Sequence, residues 1–436
     1  MFKKTILAIS AALAIASSPY SHSASAQQMA TDVEADVINW RRHFHQYPEL
    51  SNREFNTSKT IAQELSAMGL KVETGIAHTG VVAVLDSGKA GPVVALRADI
   101  DGLPVTESSD LPFASKVVSE FNGQQTGVMH ACGHDTHIAM LLGAAKMLSQ
   151  HKQQLIGKVK FIFQPAEEGA PVGEEGGAEL MVKQGVLNTP DVDVIFGLHI
   201  WSNLDVGKIS YKPGGTLAAV DTFKVVVKGK QAHGAYPWKS VDPIVTAAQI
   251  IMGLQTIVSR ELQLIDEAAV VTVGSIHGGV RSNIIPNEVE IIGTLRSLTP
   301  TMREQIRQAV VRKATNIAAS MGAEAEVTVP FGANYPVTYN DPILMTQMLP
   351  ALNQVIGEDN VVLANAQTGA EDFSFYQQQV PGLFLGVGGK PLNVSVEDAP
   401  AHHTPEFMID ESGLKTGVAA LIGLTLDYMN KHKATK

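Results

Sequence analysis

"PVVALRADIDGLP" (residues 92–104) stays apolar from Val93 to Leu96 and then runs into Asp99 and Asp101. A short apolar run bounded by Pro and Gly reads as a buried strand with acids at its carboxyl end. Two later segments follow the same plan. "KVKFIFQPAEEG" (158–169) alternates Val159, Phe161 and Phe163 before Glu167 and Glu168, and "DVDVIFGLHIW" (191–201) runs through Val194, Ile195 and Phe196 to His199. Between the first two, Ile138, Leu141, Leu142, Ala145 and Leu148 recur at helical spacing. Strands alternating with a helix predict an α/β domain built on a mixed, largely parallel sheet. In such sheets functional groups collect beyond the carboxyl ends of the strands. Here three strand ends and one helix entrance all carry metal-capable side chains.

From Pro213 the pattern changes. "LAAVDTFKVVVKGKQ" (217–231) reads as a strand, and 240–261 as a helix with Asp242 and Pro243 near its start. Strands follow at 268–276 and 287–297. A helix over 299–322 takes Thr299 as N-cap and Pro300 in its first turn, and a last strand covers 323–330. The order β-α-β-β-α-β is the split-βαβ, ferredoxin-like pattern. Residues 213–329 therefore read as an α+β unit inserted into an α/β domain made of 27–212 and 330–436.

The remaining N-terminal stretch has a different purpose. Lys3 and Lys4 precede an apolar run from Ile6 to Ala16, and Ala24-Ser25-Ala26 has the small-x-small form of a cleavage site. Residues 1–26 read as a secretory signal peptide, the apolar run falling short of the ~20 residues of a membrane span. The expectation is an exported protein, periplasmic or secreted, with no membrane attachment after cleavage. The net charge of -10 becomes -12 once Lys3 and Lys4 are removed. An acidic chain without a basic run is a poor partner for nucleic acid or anionic membranes.

Exported proteins use cysteines in pairs, yet this chain has one, Cys132, inside "VMHACGHDTHIAMLLGAA" (128–145). It is a buried small hydrophobe, a nucleophile or a metal ligand. No G-x-S-x-G elbow points to serine hydrolysis. A papain-like pairing of Cys132 with a distant histidine is formally open, but His134 and the paired glutamates favour metal. Taken singly, a Cys-x-His pair, a Glu-Glu pair or a histidine after a strand is weak; together they sit at the ends of one sheet. Cys132, His134, Glu168, His199 and His403 exceed the three protein ligands of a usual catalytic zinc. They suit two divalent ions sharing a bridging water, with the pKa of that water lowered toward ~7. Glu167 is then the proton carrier. Neighbours in an extended strand point to opposite sides, so the chain must turn at Pro165 or Gly169 for Glu167 and Glu168 both to reach the site.

Nine stretches in order resemble the amidohydrolase branch of the dinuclear metallo-aminoacylase and carboxypeptidase clan. They are "WRRHFHQYPELSNREF", "LRADIDGLP", "MHACGHDTHIA", "QPAEEG", "GLHIW", "DPIVTAAQIIMGLQTIVSRE", "SNIIPNEVEIIGTLRS", "GAEDFSFY" and "HHTPEF". That branch includes hippurate hydrolases, N-acyl-amino-acid amidohydrolases and indole-acetyl-amino-acid hydrolases. The resemblance implies an inserted lid that mediates homodimers, and hydrolysis of N-acyl or N-aroyl amino acids to a carboxylic acid and a free amino acid. It places the ligands on the five residues above and the base on Glu167. Its His-x-Pro spacing selects His403 over His402. It carries over Asp101 as an orienting acid, His233 as a lid histidine assisting the scissile carbonyl, and Asn283 and Arg296 as grips for the substrate carboxylate. Manganese, zinc, cobalt or nickel all fit the donors. A carboxypeptidase or dipeptidase is the near alternative, and a metal- or ligand-binding protein without catalysis is the distant one.

Overall fold

The structure, a computed structural model, describes residues 20–265, 267–332 and 334–433, with side chains from Ala26 onward. Most of the expected signal peptide lies outside the described residues. The first helix, α1 (Tyr20–Gln46), runs through the expected cleavage point, and Ala26, Met29, Val33 and Val37 are buried. No helix among the described residues is long and apolar enough to cross a membrane.

In chain order the main elements are α1, α2 (Phe55–Ala67), β1 (Lys71–Ile76), β2 (Gly80–Asp86), β3 (Val93–Asp99), α3 (His134–Gln150), β4 (Lys158–Gln164), β5 (Val194–Asp205) and β6 (Ile209–Tyr211). The inserted unit follows: β7 (Ala219–Lys228), α4 (Pro243–Arg260), β8 (Ala269–His277), β9 (Glu288–Ser297), α5 (Pro300–Ser320) and β10 (Glu324–Thr328). The chain ends with α6 (Pro342–Ile356), β11 (Val361–Leu363), β12 (Gly382–Lys390) and α7 (Leu414–Lys431).

Eight strands form one sheet in the order β1-β2-β4-β3-β5-β12-β6-β11. The four central strands, β4, β3, β5 and β12, are parallel, and antiparallel pairs lie outside them. Every residue of β3 and β12 is buried, as expected of parallel strands covered on both faces. Helices α1, α3 and α7 pack together over one face, and α3 is buried almost all round because it lies between that layer and the sheet. The sheet therefore brings the ends of β3 and β4 level with His199, which lies midway along β5 rather than at the strand end the sequence suggests, beside the start of α3.

The inserted unit has a four-stranded antiparallel sheet, β8-β9-β7-β10, the order expected of a ferredoxin-like fold. Its two inner strands, β7 and β9, alternate buried and half-buried residues, unlike β3, because only one face is covered. Phe223, Val225, Ile250, Leu254, Ile291 and Ile306 belong to a core of its own. The residues that start its helices do what their chemistry dictates. Asp242 accepts from the amides of Ile244 and Val245, Thr299 accepts from Met302, and each is followed by proline at the first helical position. The unit joins the large sheet through two adjacent strands. Val220 and Tyr335 exchange backbone hydrogen bonds of 3.0 Å, and Leu217 pairs with Thr338.

Candidate metal centre and active site

The loop "HACGH" enters α3 through Gly133, the helix cap, at φ 91°. A side chain there would meet Ile200 Cγ2 at 2.3 Å, so glycine serves both the left-handed turn and the close approach of β5. This turn points Cys132 and His134 into the same space. Cys132 Sγ lies 3.4 Å from His199 Nε2 and 3.3 Å from His403 Nε2, and His403 Nε2 lies 3.1 Å from Glu168 Oε1.

The donors form two sets that meet at the thiol. Cys132, His134 and His199 present atoms within 4.8 Å of one another, and so do Cys132, Glu168 and His403. Two of the three donor histidines are held from behind. His134 Nδ1 pairs with Asp101 Oδ1 at 3.2 Å, and His199 Nδ1 donates to the Ile200 carbonyl at 2.6 Å. Both therefore keep Nε2 free to ligate, the arrangement that orients metal-bound imidazoles. His134 Nε2 is buried with no hydrogen-bond partner among the described residues; Asp99 Oδ2 is 3.8 Å away, and Glu167 Oε2 and Glu168 Oε1 are each 3.9 Å away. A buried imidazole left without a partner among carboxylates fits a pair of divalent cations. Of the two adjacent histidines, His403 faces the donors, while His402 Nε2 accepts from the Ser202 amide at 3.2 Å.

The electrostatics agree with a cation site. Burial, then the charges of Glu168, Glu167 and Asp99, hold the Cys132 thiol well above its ordinary pKa. Only a cation bound to the sulfur would give the thiolate near neutral pH. Burial works against the imidazolium of His134, but Asp99, Asp101 and Glu168 outweigh it and raise its pKa to about 10. Burial and the neighbouring carboxylates Glu371 and Glu168 push Glu167 well above the usual carboxylate range.

Glu167 and Glu168 both reach the site, and the turn that achieves this falls at Ala166 rather than at Pro165. Ala166 has φ 53° and Gly169 φ 103°. Three groups anchor the turn: Glu54 Oε1 accepts from the Ala166 amide at 2.9 Å, Asp101 Oδ2 from the Glu168 amide at 3.1 Å, and the Tyr335 hydroxyl donates to the Glu167 carbonyl at 2.8 Å.

Behind the donors lies a buried ionic cluster that the sequence reading left unassigned. Arg97 reaches Asp99 at 2.7 Å, Glu371 and Asp372 at 2.9 Å each, and Gln164 at 2.8 Å. His137 links this cluster to β5, pairing with Asp99 Oδ1 at 2.5 Å and accepting from the Ile200 amide at 2.8 Å. Two signals were available. Asp99 and Asp101 lie two apart along an extended segment, and His134 and His137 lie three apart on a helix, so each pair shares a side.

A cleft of 510 Å³ opens over the donors, bordered by Glu167, Trp201, Leu217, Tyr335, Gln367 and Val396 among others. Among the described residues no lysine or arginine lines it. Three residues expected to meet the substrate lie elsewhere within the single chain. His233 is exposed on a short ribbon beside Asn283, its Nδ1 accepting from the Ala235 amide at 3.0 Å. Arg296 sits on β9 and folds its guanidinium back onto Thr294 Oγ1 and the Leu295 carbonyl. None of the three borders the cleft: all belong to the inserted unit, His233 and Arg296 on its strands and Asn283 in the turn before Ile284.

Comparison with known proteins agrees with this geometry. The sequence model of peptidase family M20/M25/M40 matches residues 95–427. A thermostable carboxypeptidase of Saccharolobus solfataricus is 38% identical over 401 residues, 92% of this chain and 97% of the relative. An N-acetylcysteine deacetylase of Bacillus subtilis is 39% identical over 380 residues, 87% of this chain and 93% of the relative. The solved structure of the Bacillus subtilis YxeP protein, a dinuclear metal-binding peptidase of family M20, superposes with a TM-score of 0.76 at 35% identity, covering 92% of this chain and 99% of that one. A family match spanning all five donors, with relatives aligned over nearly their whole lengths, shows that the chain belongs to peptidase family M20/M25/M40 and is a metal-dependent hydrolase holding two divalent metal ions.

Proposed function

We propose that the protein hydrolyses the amide bond of N-acyl or N-aroyl amino acids, hippurate-like compounds among them, releasing a carboxylic acid and a free amino acid. The observation that carries this is the placement of Glu167, a buried acid at the floor of a cleft, beside two donor sets that share one thiol. A metal-storing protein has no use for such an acid. In this reading Cys132, His134, Glu168, His199 and His403 hold the ions, which supply Lewis acidity toward a carbonyl and a nucleophile at neutral pH. Asp101 fixes the tautomer of His134. Glu167, whose raised pKa favours carrying a proton, takes one from the attacking water and delivers it to the departing nitrogen. Trp201, Leu217 and Val396 give the cleft an apolar wall suited to an acyl or aryl group.

Among the described residues no lysine or arginine of the one chain lines the cleft to meet the substrate carboxylate. His233, Asn283 and Arg296 are proposed to supply that contact, and the scissile carbonyl contact, from the inserted unit as it closes or from a second copy in a homodimer. Export to the periplasm or medium belongs to the same proposal. It suits scavenging of acylated amino acids. Manganese, zinc, cobalt or nickel would each satisfy the mixed donors.

A peptidase reading has a specific basis in the relatives named carboxypeptidases. The test is amino-acid release from N-benzoyl-L-alanine, N-acetyl-L-alanine and L-alanyl-L-alanine by manganese- or zinc-loaded protein, with a chelated control and Glu167→Gln. Chelator-sensitive release from the acylated pair, lost in E167Q with metal retained, is the expected result. Release from the dipeptide alone moves the protein to the peptidase reading, and a fully active E167Q sinks the assignment of the base.

A further inference from the structure

We propose that Glu54 is a positioning residue for Glu167: its buried carboxyl grips the Ala166 amide and so fixes the turn that swings two consecutive glutamates into one site. The inference rests on Glu167 being the proton carrier and concerns what holds that group in place.

The need for such a grip follows from backbone geometry. Consecutive residues at a strand end face opposite ways, yet Glu167 Oε2 and Glu168 Oε1 both lie 3.9 Å from His134 Nε2. The chain manages this by taking Ala166 to φ 53°, a region that disfavours side chains by roughly 1–2 kcal/mol. Residues in that state persist only where their surroundings over-determine them. Glu54 supplies such a constraint. Its Oε1 takes the Ala166 amide at 2.9 Å, and its Oε2 takes the Thr79 hydroxyl at 2.6 Å. The side chain is wholly buried and does not border the cleft, so it acts on the reaction only through the turn.

Glu54 is also an expensive choice for a merely structural role. Burial, with Asp101 nearby, raises its pKa to about 8. A buried acid held by backbone amides and a hydroxyl is a poor stabiliser compared with an apolar side chain of similar volume. The rest of its loop acts in the same direction. Ser51 donates to Asp101 Oδ2 at 2.7 Å, and Asn52 donates to the Glu175 carbonyl at 3.0 Å. The segment Glu49–Glu54 thus grips both the acid behind His134 and the chain on either side of the glutamate pair.

The test compares Glu54→Gln, Glu54→Leu and Glu54→Asp with wild type and E167Q, all loaded with the same metal and assayed on the better acylated alanine. Glutamine can put its oxygen on the Ala166 amide and its NH₂ on the Thr79 oxygen, so E54Q should stay within about threefold of wild-type kcat. E54L should lose roughly 10- to 100-fold in kcat, the scale of an ångström-sized misplacement, with KM unchanged and two ions per chain kept because Asp101 Oδ2 still holds the Glu168 amide. The acidic limb of its kcat/KM profile should move as the surroundings of Glu167 change. If E54L fails to fold, E54D provides the same test, one methylene too short to span both partners. A wild-type kcat in E54L or E54D overturns the inference. So does an E54Q as impaired as E54L, or a loss of activity that merely tracks loss of metal. An active E167Q removes the base itself, whereas an inactive E167Q beside a fully active E54L removes only the role of Glu54.

Discussion

Arg97 is the residue whose removal should hurt most without touching a metal donor. It is fully buried, and its guanidinium meets Asp99, Glu371 and Asp372, with Gln164 on Nε. Arg97→Met fills the volume but leaves three buried carboxylates facing one another without that cation. Breaking a buried pair in this way is worth about 3–5 kcal/mol, a large part of the roughly 5–15 kcal/mol that holds a domain folded. The sign of the pH dependence follows from the same cluster. Burial raises the pKa of Glu371 to about 8 and of Asp372 to about 6, while Arg97 pulls both down. Removing Arg97 lets both rise further. A carboxyl with a raised folded-state pKa gives stability that is present in acid and lost as pH climbs through that value. Urea unfolding of metal-free R97M should therefore show a deficit that is small near pH 5 and grows through pH 6 to above pH 8. A deficit below about 1 kcal/mol at pH 8, or one that shrinks as pH rises, would refute the reasoning.

Other perturbations have equally definite outcomes. Gly133→Ala places a methyl 2.3 Å from Ile200 Cγ2 at φ 91°, so it should destabilise by more than about 2 kcal/mol and release metal, read by thermal unfolding and elemental analysis. Full metal content in that variant would contradict the assigned turn. Tyr335→Phe removes the donor to the Glu167 carbonyl and should lower kcat about three- to tenfold with metal retained, since one hydrogen bond is worth about 1 kcal/mol. An unaltered kcat would show that the hydroxyl does not hold the turn. Chelation should lower the melting temperature: an ion at 100 times its Kd contributes about 2.7 kcal/mol. Coincident melting curves with and without chelator would argue against tight sites.

The large sheet and the inserted unit were legible because their patterns differ locally. β3 opens with an unbroken apolar run from Val93 to Leu96, β7 and β9 alternate, and proline follows a capping residue at Asp242 and Thr299. The candidate donors read as closing a strand or opening a helix, yet only His134 opens one; His199 lies inside β5, and Cys132, Glu168 and His403 lie in loops that the fold gathers. The turn at Ala166 was not legible, since alanine gives no sign of a positive φ that neighbours impose from more than a hundred residues away. The Arg97 cluster was hidden similarly, because Glu371 and Asp372 are brought to it only by the fold. His233, Asn283 and Arg296 were named from likeness alone, and within one chain no contact with the cleft supports them.

The place of β12 in the sheet governs the order in which the molecule can be made. It lies between β5 and β6, yet it is synthesised after the whole inserted unit. As the chain emerges with its N-terminus first, the insert can close its own core while the larger sheet still lacks an inner strand. Until Gly382–Lys390 arrives, the apolar edge of β5 has no neighbour and is a template for pairing with other chains. Cys132 likewise waits for His403. A polypeptide stopped before Gly382 would therefore be a compact insert carried on a sticky, unfinished sheet, and late nonsense mutations should yield aggregates rather than a partly active enzyme.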